Sequence, residues 1–216
     1  MKTRSKALLL TLCAVLLVTA SVLGTMAYLT SQDTVTNTFS VGSVAIKLDE
    51  AKANPDGSLV AGADRVKTNS YKLLPGHTYK KDPMVTVRKG SEPSYIKMTV
   101  TFSEASALDA IFAPDGANLI SIFNGYDSTT WIYKNNTKDA TKNTRTYEFW
   151  YKETVGAPTA DVALDALFDS ITVPGSITNE QLATIEGMTI TVNAYAIQAD
   201  GFDNAEAAWA AFNYLF

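Results

Sequence analysis

Apolar and polar positions alternate with period two along much of the chain. From Tyr95 to Ser103, the side chains of Ile96, Met98, Val100 and Phe102 fall on one face, and those of Lys97, Thr99, Thr101 and Ser103 on the other. This pattern predicts an antiparallel strand with one core face and one wet face. Val44, Ile46 and Leu48 alternate with Ala45, Lys47 and Asp49. Met84, Val85 and Val87 predict a further strand, and Met188 to Ala199 a long last one, with Met188, Ile190, Val192, Ala194 and Ala196 on one face. The aromatic runs Thr130–Lys134 and Thr146–Lys152 flank the polar stretch Asn135–Arg145 and predict a long hairpin. Ser170–Val173 reads as a brief strand. Asn54-Pro55-Asp56-Gly57 and Leu74-Pro75-Gly76 mark corners, and Leu59–Asn69 reads as a loop.

Helical spacing is confined to short pieces. Ser103 is placed to cap one carrying Leu108, Ile111 and Phe112, and Leu164, Leu167 and Phe168 suggest another. Thr178 and Gln181 have capping-box spacing, as do Asp203 and Glu206 ahead of a C-terminal helix bearing Ala205, Trp209, Phe212 and Phe216. Many strands with helices only in connections predict an all-β antiparallel sandwich.

The N-terminal stretch breaks this pattern. Lys2, Arg4 and Lys6 precede an apolar run from Ala7 to Gly24, and Thr25-Met26-Ala27 ends it with small residues around a cut before Tyr28. Basic head, apolar middle and small-residue exit predict a helical secretory signal peptide over 1–27 and a single domain over 28–216. The alternative reading of the same run is a retained membrane anchor. After the exit the chain passes without a linker into the β-rich segment Val35-Thr36-Asn37-Thr38-Phe39-Ser40-Val41. Cleavage therefore leaves a strand-forming arm, 28–41, with Val35, Phe39 and Val41 on one face. Such an arm needs a partner edge, in its own sheet or in a neighbour's.

Composition narrows the function. The leader takes three of the 18 basic residues and none of the 22 acidic ones, which leaves a net charge of −7. An acidic surface does not suit nucleic acid. The one cysteine, Cys13, lies in the leader, so the exported domain relies on core burial rather than disulfides. Catalytic chemistry has little to stand on. His77 is the only histidine, there is no His-Glu-x-x-His, and no nucleophile elbow or phosphate loop is present. No cofactor or metal is expected. Tyr126, Trp131, Tyr133, Tyr147, Trp150 and Tyr151 form an aromatic centre, read as cross-strand packing or as a glycan platform. Lys134, Lys138, Lys142 and Arg145 make the hairpin locally basic.

Several segments, in this order, resemble the TasA/camelysin family of Gram-positive bacteria. They are Gly24–Thr30, Asn37–Gly42, Leu74-Pro75-Gly76, Gly90-Ser91-Glu92-Pro93-Ser94-Tyr95-Ile96-Lys97-Met98, and Val192 through Phe202. The resemblance implies a jelly-roll sandwich, export by a SipW-type signal peptidase, and a place outside the cell or at its surface. In the TasA branch it implies biofilm-matrix fibres built by donor-strand exchange, with Val35, Thr36, Asn37, Thr38, Phe39 and Val41 as the arm. The partners implied are further copies of the chain, other matrix proteins and polysaccharide. The family's metallopeptidase label and a monomeric glycan-binding adhesin are the alternatives.

Overall fold

The computed structural model describes residues 3–29, 42–112 and 122–213, with side chains of the first segment described over 5–19. The chain divides into two units, one ending at Val41 and the other beginning at Gly42.

The first unit contains helix α1, Thr3–Leu29. Its apolar residues run all round the helix, and the side chains of Leu8, Leu10 and Leu17 are exposed. Among the residues whose side chains are described, no helix is long and apolar enough to cross a membrane. The predicted exit residues Thr25, Ala27 and Tyr28 lie within the last turns of α1. Tyr28 and Leu29, read as the start of the arm, are therefore helical. The rest of the arm, including Val35, Thr36, Asn37, Thr38, Phe39 and Val41, lies outside the described residues.

The second unit is mostly antiparallel β structure, an all-β sandwich with short helices in its connections. Its strands are β1 (Ile46–Asp49), β2 (Thr78–Lys80), β3 (Met84–Val87), β4 (Ser94–Phe102), β5 (Phe123–Asn124), β6 (Trp131–Asp139), β7 (Thr144–Tyr151), β8 (Val162–Ala163), β9 (Ser170–Thr172) and β10 (Ile190–Gln198). Three sheets have the orders β1-β3-β8, β10-β4-β7-β6 and β2-β9-β5. The helices are α2 (Ala105–Phe112), α3 (Asn179–Thr184) and α4 (Ala205–Asn213).

Alternation builds the core. Ile96, Met98, Val100 and Phe102 of β4 are fully buried, and so are Tyr147 and Phe149 of β7 and Trp131 of β6. They pack on Val85 and Val87 of β3, and on Leu164, Leu167 and Phe168. A second cluster gathers Tyr79, Val173, Ile177 and Ile185. The aromatic centre is largely this core. Phe123 stacks edge-on against Tyr147 and Phe149, and Trp131 against Tyr151.

Several expectations change. Leu164, Leu167 and Phe168 are not helical. The Leu164 and Leu167 amides donate to the carbonyls of Val85 and Pro83, so tertiary pairing overrides the spacing. Within the polar stretch Asn135–Arg145, residues 135–139 and 144–145 are strand and the hairpin turns over 140–143, with Asn143 at φ 51°. Ser103 does not cap α2; its hydroxyl accepts from the Thr189 amide. The cap comes from Asn143, whose carbonyl and side-chain oxygen accept from the amides of Ala105 and Ser106. The capping box at Thr178 and Gln181 is present. At α4 the capping oxygen belongs to Asn204 rather than Asp203, while Glu206 pairs with Lys134.

The outer face of β4 is not uniformly wet. Lys97 is only 3% exposed. Helix α4 covers it with Trp209 and Phe212, and Tyr195 flanks it, with ring centroids 4.6, 5.1 and 5.6 Å from the ammonium. Glu148 lies 3.7 Å away.

Candidate functional site

Two strands end their sheets on the same groove. Among the described residues, β1 has a strand neighbour at β3 alone, and β10 at β4 alone. A cleft of about 1340 Å³ is lined by Ile46 and Leu48 from β1, and by Ile190, Val192 and Ala194 from β10. One wall is the segment from Val66 to Leu73, and another is Leu182 to Glu186 around the end of α3.

Backbone alternation decides which polar groups face this cleft. The Arg88 amide donates to the Ala45 carbonyl, so Ala45, Lys47 and Asp49 turn their N–H and C=O toward β3. Ile46 and Leu48 then turn theirs toward the cleft. On β10, the Ser103 amide donates to Thr189, and the Ala199 amide to Pro93. Thr191, Asn193, Tyr195 and Ile197 therefore bond β4, and Ile190, Val192, Ala194 and Ala196 present their backbone to the open side. These residues also point their side chains into the core, yet are only half-buried, whereas their neighbours on β4 are fully buried.

The edges of the four-stranded sheet are not alike. β6 carries Lys134, Lys138 and Asp139 and a bulge between Tyr133 and Asn135. Charge and bulge are devices that stop one sheet edge from pairing with another. β10 has no charge and no proline in nine residues, Ile-Thr-Val-Asn-Ala-Tyr-Ala-Ile-Gln. Such an edge is a ready template for an added strand.

Ionic contacts fix the wall beside β1. Glu50 and Val66 exchange backbone hydrogen bonds at 2.9 and 2.7 Å. Arg65 bonds the carboxylates of Asp49 at 2.6 Å and Asp82 at 2.9 Å. Lys81 meets Glu50 at 2.6 Å, with both side chains buried. Asn69 donates to Glu50 at 2.9 Å, and the Lys67 ammonium reaches the Leu48 carbonyl. Burial pushes the Asp49 carboxyl up, but hydrogen bonds and charge from Lys47 and Arg65 outweigh it and hold the pKa below the ordinary value.

The other candidate residues do not assemble a site. His77 is exposed at its turn, 6.4 Å between ring centroids from Tyr79. Among the described residues no group of three or more His, Cys, Asp or Glu side chains is placed to hold a metal ion. The basic hairpin is largely neutralised: Lys138 and Arg145 pair with Asp109, Lys142 with Asp139 and Lys134 with Glu206. Trp131 and Tyr147 are fully buried, so those two rings offer no surface.

Alternation places Ile46, Leu48 and the apolar face of β10 on half-buried strands, as found, but does not show that both strands border one cleft. The signal that was present is the absence of charge along β10 beside the lysines of β6. The fold and groove define a class, an all-β sandwich whose uncharged margin strand β10 shares one cleft with β1. No protein-family model, curated protein or solved structure matches the chain.

Proposed function

We propose that the protein is an exported structural subunit that polymerises by inserting its N-terminal arm into the β1–β10 groove of another copy. The observation that carries this reading is the uncharged edge of β10 on a cleft where its apolar side chains are only half-buried. A strand laid there would bond Ile190, Val192 and Ala194 of β10 and face the Ile46 backbone and the Leu48 amide of β1, covering side chains the subunit alone leaves half-exposed. From Met188 to Ala194 the β10 side spans about 20 Å at ~3.3 Å per residue, the reach of a seven-residue strand such as Val35–Val41. Val35, Phe39 and Val41 share the face that would turn into the core. Each contributes roughly 1.5–3 kcal/mol if fully buried.

In this reading the sandwich is jelly-roll-like. Residues 1–27 are a signal peptide removed by a SipW-type signal peptidase after Ala27. The product lies outside the cell, in or on a surface matrix where other matrix proteins and polysaccharide are its neighbours. Head-to-tail insertion is heterologous and leaves open ends, which makes filaments. The test is deletion of 28–41 from the exported protein. The truncated form should stay monomeric by light scattering and show no filaments in electron micrographs. Filaments of ordinary length from the truncated form would reject the mechanism.

A further inference from the structure

The two strand margins of the cleft differ at one contact, on the Leu48 carbonyl. We infer that Lys67 is a displaceable guard on the β1 margin: its ammonium holds the place of an added strand's amide at Leu48, and a docking strand must drive it off to bond there. This rests on the strand-insertion reading above.

Backbone alternation sets that place. Ile46, Leu48 and Glu50 turn their N–H and C=O away from β3. At Glu50 this side is already taken, because Glu50 and Val66 exchange both backbone bonds as an antiparallel bridge. Pairing continued from that bridge would bring the Thr68 backbone opposite Leu48. Instead the Leu48 carbonyl accepts from the Lys67 ammonium. A side-chain cation therefore stands where the next backbone donor would, on the wall of the cleft.

The wall is pinned on both sides of this residue. Arg65 pairs with the carboxylates of Asp49 and Asp82 and donates to the carbonyls of the same two residues at 3.1 and 2.8 Å. Asn69 donates to the Ala51 carbonyl at 2.8 Å and accepts from the Ala53 amide at 2.9 Å. The moving part is then the Lys67 stem. The residue is exposed, and its ammonium forms no ion pair among the described residues. A flexible stem and a strongly hydrated head let it leave Leu48 for water, so the guard is reversible. Charge on an edge opposes strand addition, and β10 carries none. An incoming strand thus pairs freely along β10 and gains the Leu48 carbonyl only against Lys67.

The experiment turns on a sign. A synthetic 28–41 peptide is titrated into dilute exported protein and its variants. Lys67→Met keeps the bulk of the stem and frees one backbone acceptor, so its Kd for the peptide should fall about three- to tenfold. Lys67→Arg keeps a cation on the carbonyl and should bind as the parent does. Because Lys67 is exposed, neither change empties a packed core. If Lys67 served only to brace the wall, its loss would loosen the cleft and weaken binding. An unchanged or higher Kd in Lys67→Met would therefore overturn the guard, as would Lys67→Arg tightening as much as Lys67→Met. Peptide binding by Lys67→Met where the parent binds none would support it. If neither form bound peptide, the strand-insertion reading would fall and the guard with it.

Discussion

Lys97→Ala is the most informative test of how the C-terminal helix is held. Lys97 is 3% exposed, and its ammonium sits 4.6 Å from the ring centroid of Trp209, itself fully buried. Truncation to alanine removes three methylenes from a packed site, which costs about 2.5 kcal/mol at ~0.8 kcal/mol each. It also removes desolvated cation–π contacts worth ~1–2 kcal/mol. The sum is about 3–5 kcal/mol, within the range for large-to-small core changes. Lys97→Met keeps most of the stem and removes a buried charge whose desolvation partly offsets its attraction, so it should cost less than ~1.5 kcal/mol. Thermal melts should show the alanine variant roughly 8–15 °C below the parent, at about 2–4 °C per kcal/mol for a domain of this size. Tryptophan fluorescence should shift to the red as Trp209 meets water. An alanine variant melting within ~2 °C of the parent would refute the cage as the anchor of α4.

Two further expectations concern stability. Asp49 and Asp109 are buried enough to push their pKa values up, but Lys47 and Arg65 at the first and Arg145 and Lys138 at the second hold both below the ordinary 3.8. A lowered folded-state pKa gives stability that is complete above the unfolded value and lost as pH falls through the folded one. Melting temperature contributions from these groups should therefore be flat from pH 7 to 5 and decline below about pH 4. Asp109→Asn should flatten that decline, and an unchanged acid slope in this variant would contradict the assignment. Asn143→Ala should cost about 1–2 kcal/mol, because it removes the side-chain cap on Ser106 and strains a backbone at φ 51°. Asn143→Gly relieves the strain and should cost less in urea unfolding; equal losses would argue that the cap dominates.

The long strands were legible because period two persists over enough residues to be unmistakable, as in β4 and β10. The short ones were not. β2, β5 and β8 have two or three residues each, and pairing with a longer neighbour makes them strands. Lys97 reads as solvent-facing by alternation alone, since nothing local shows that a helix more than a hundred residues later will cover it. Leu164, Leu167 and Phe168 fit helical spacing, but their amides and side chains are claimed by β3 and the core. The groove was legible only in part. Its apolar faces are plain in the sequence. That β1 and β10 both lie at sheet margins and face each other is a property of strand order, which no local pattern encodes.

Hydrogen exchange read residue by residue, in monomers and in assembled material, tests the account most directly. The amides of Ile46, Leu48, Ile190, Val192, Ala194 and Ala196 should exchange readily in the monomer and become protected on assembly. Those of Thr191, Asn193 and Tyr195, already bonded to β4, should change little. Assembly without new protection at Ile190, Val192 and Ala194 would show that no strand docks there.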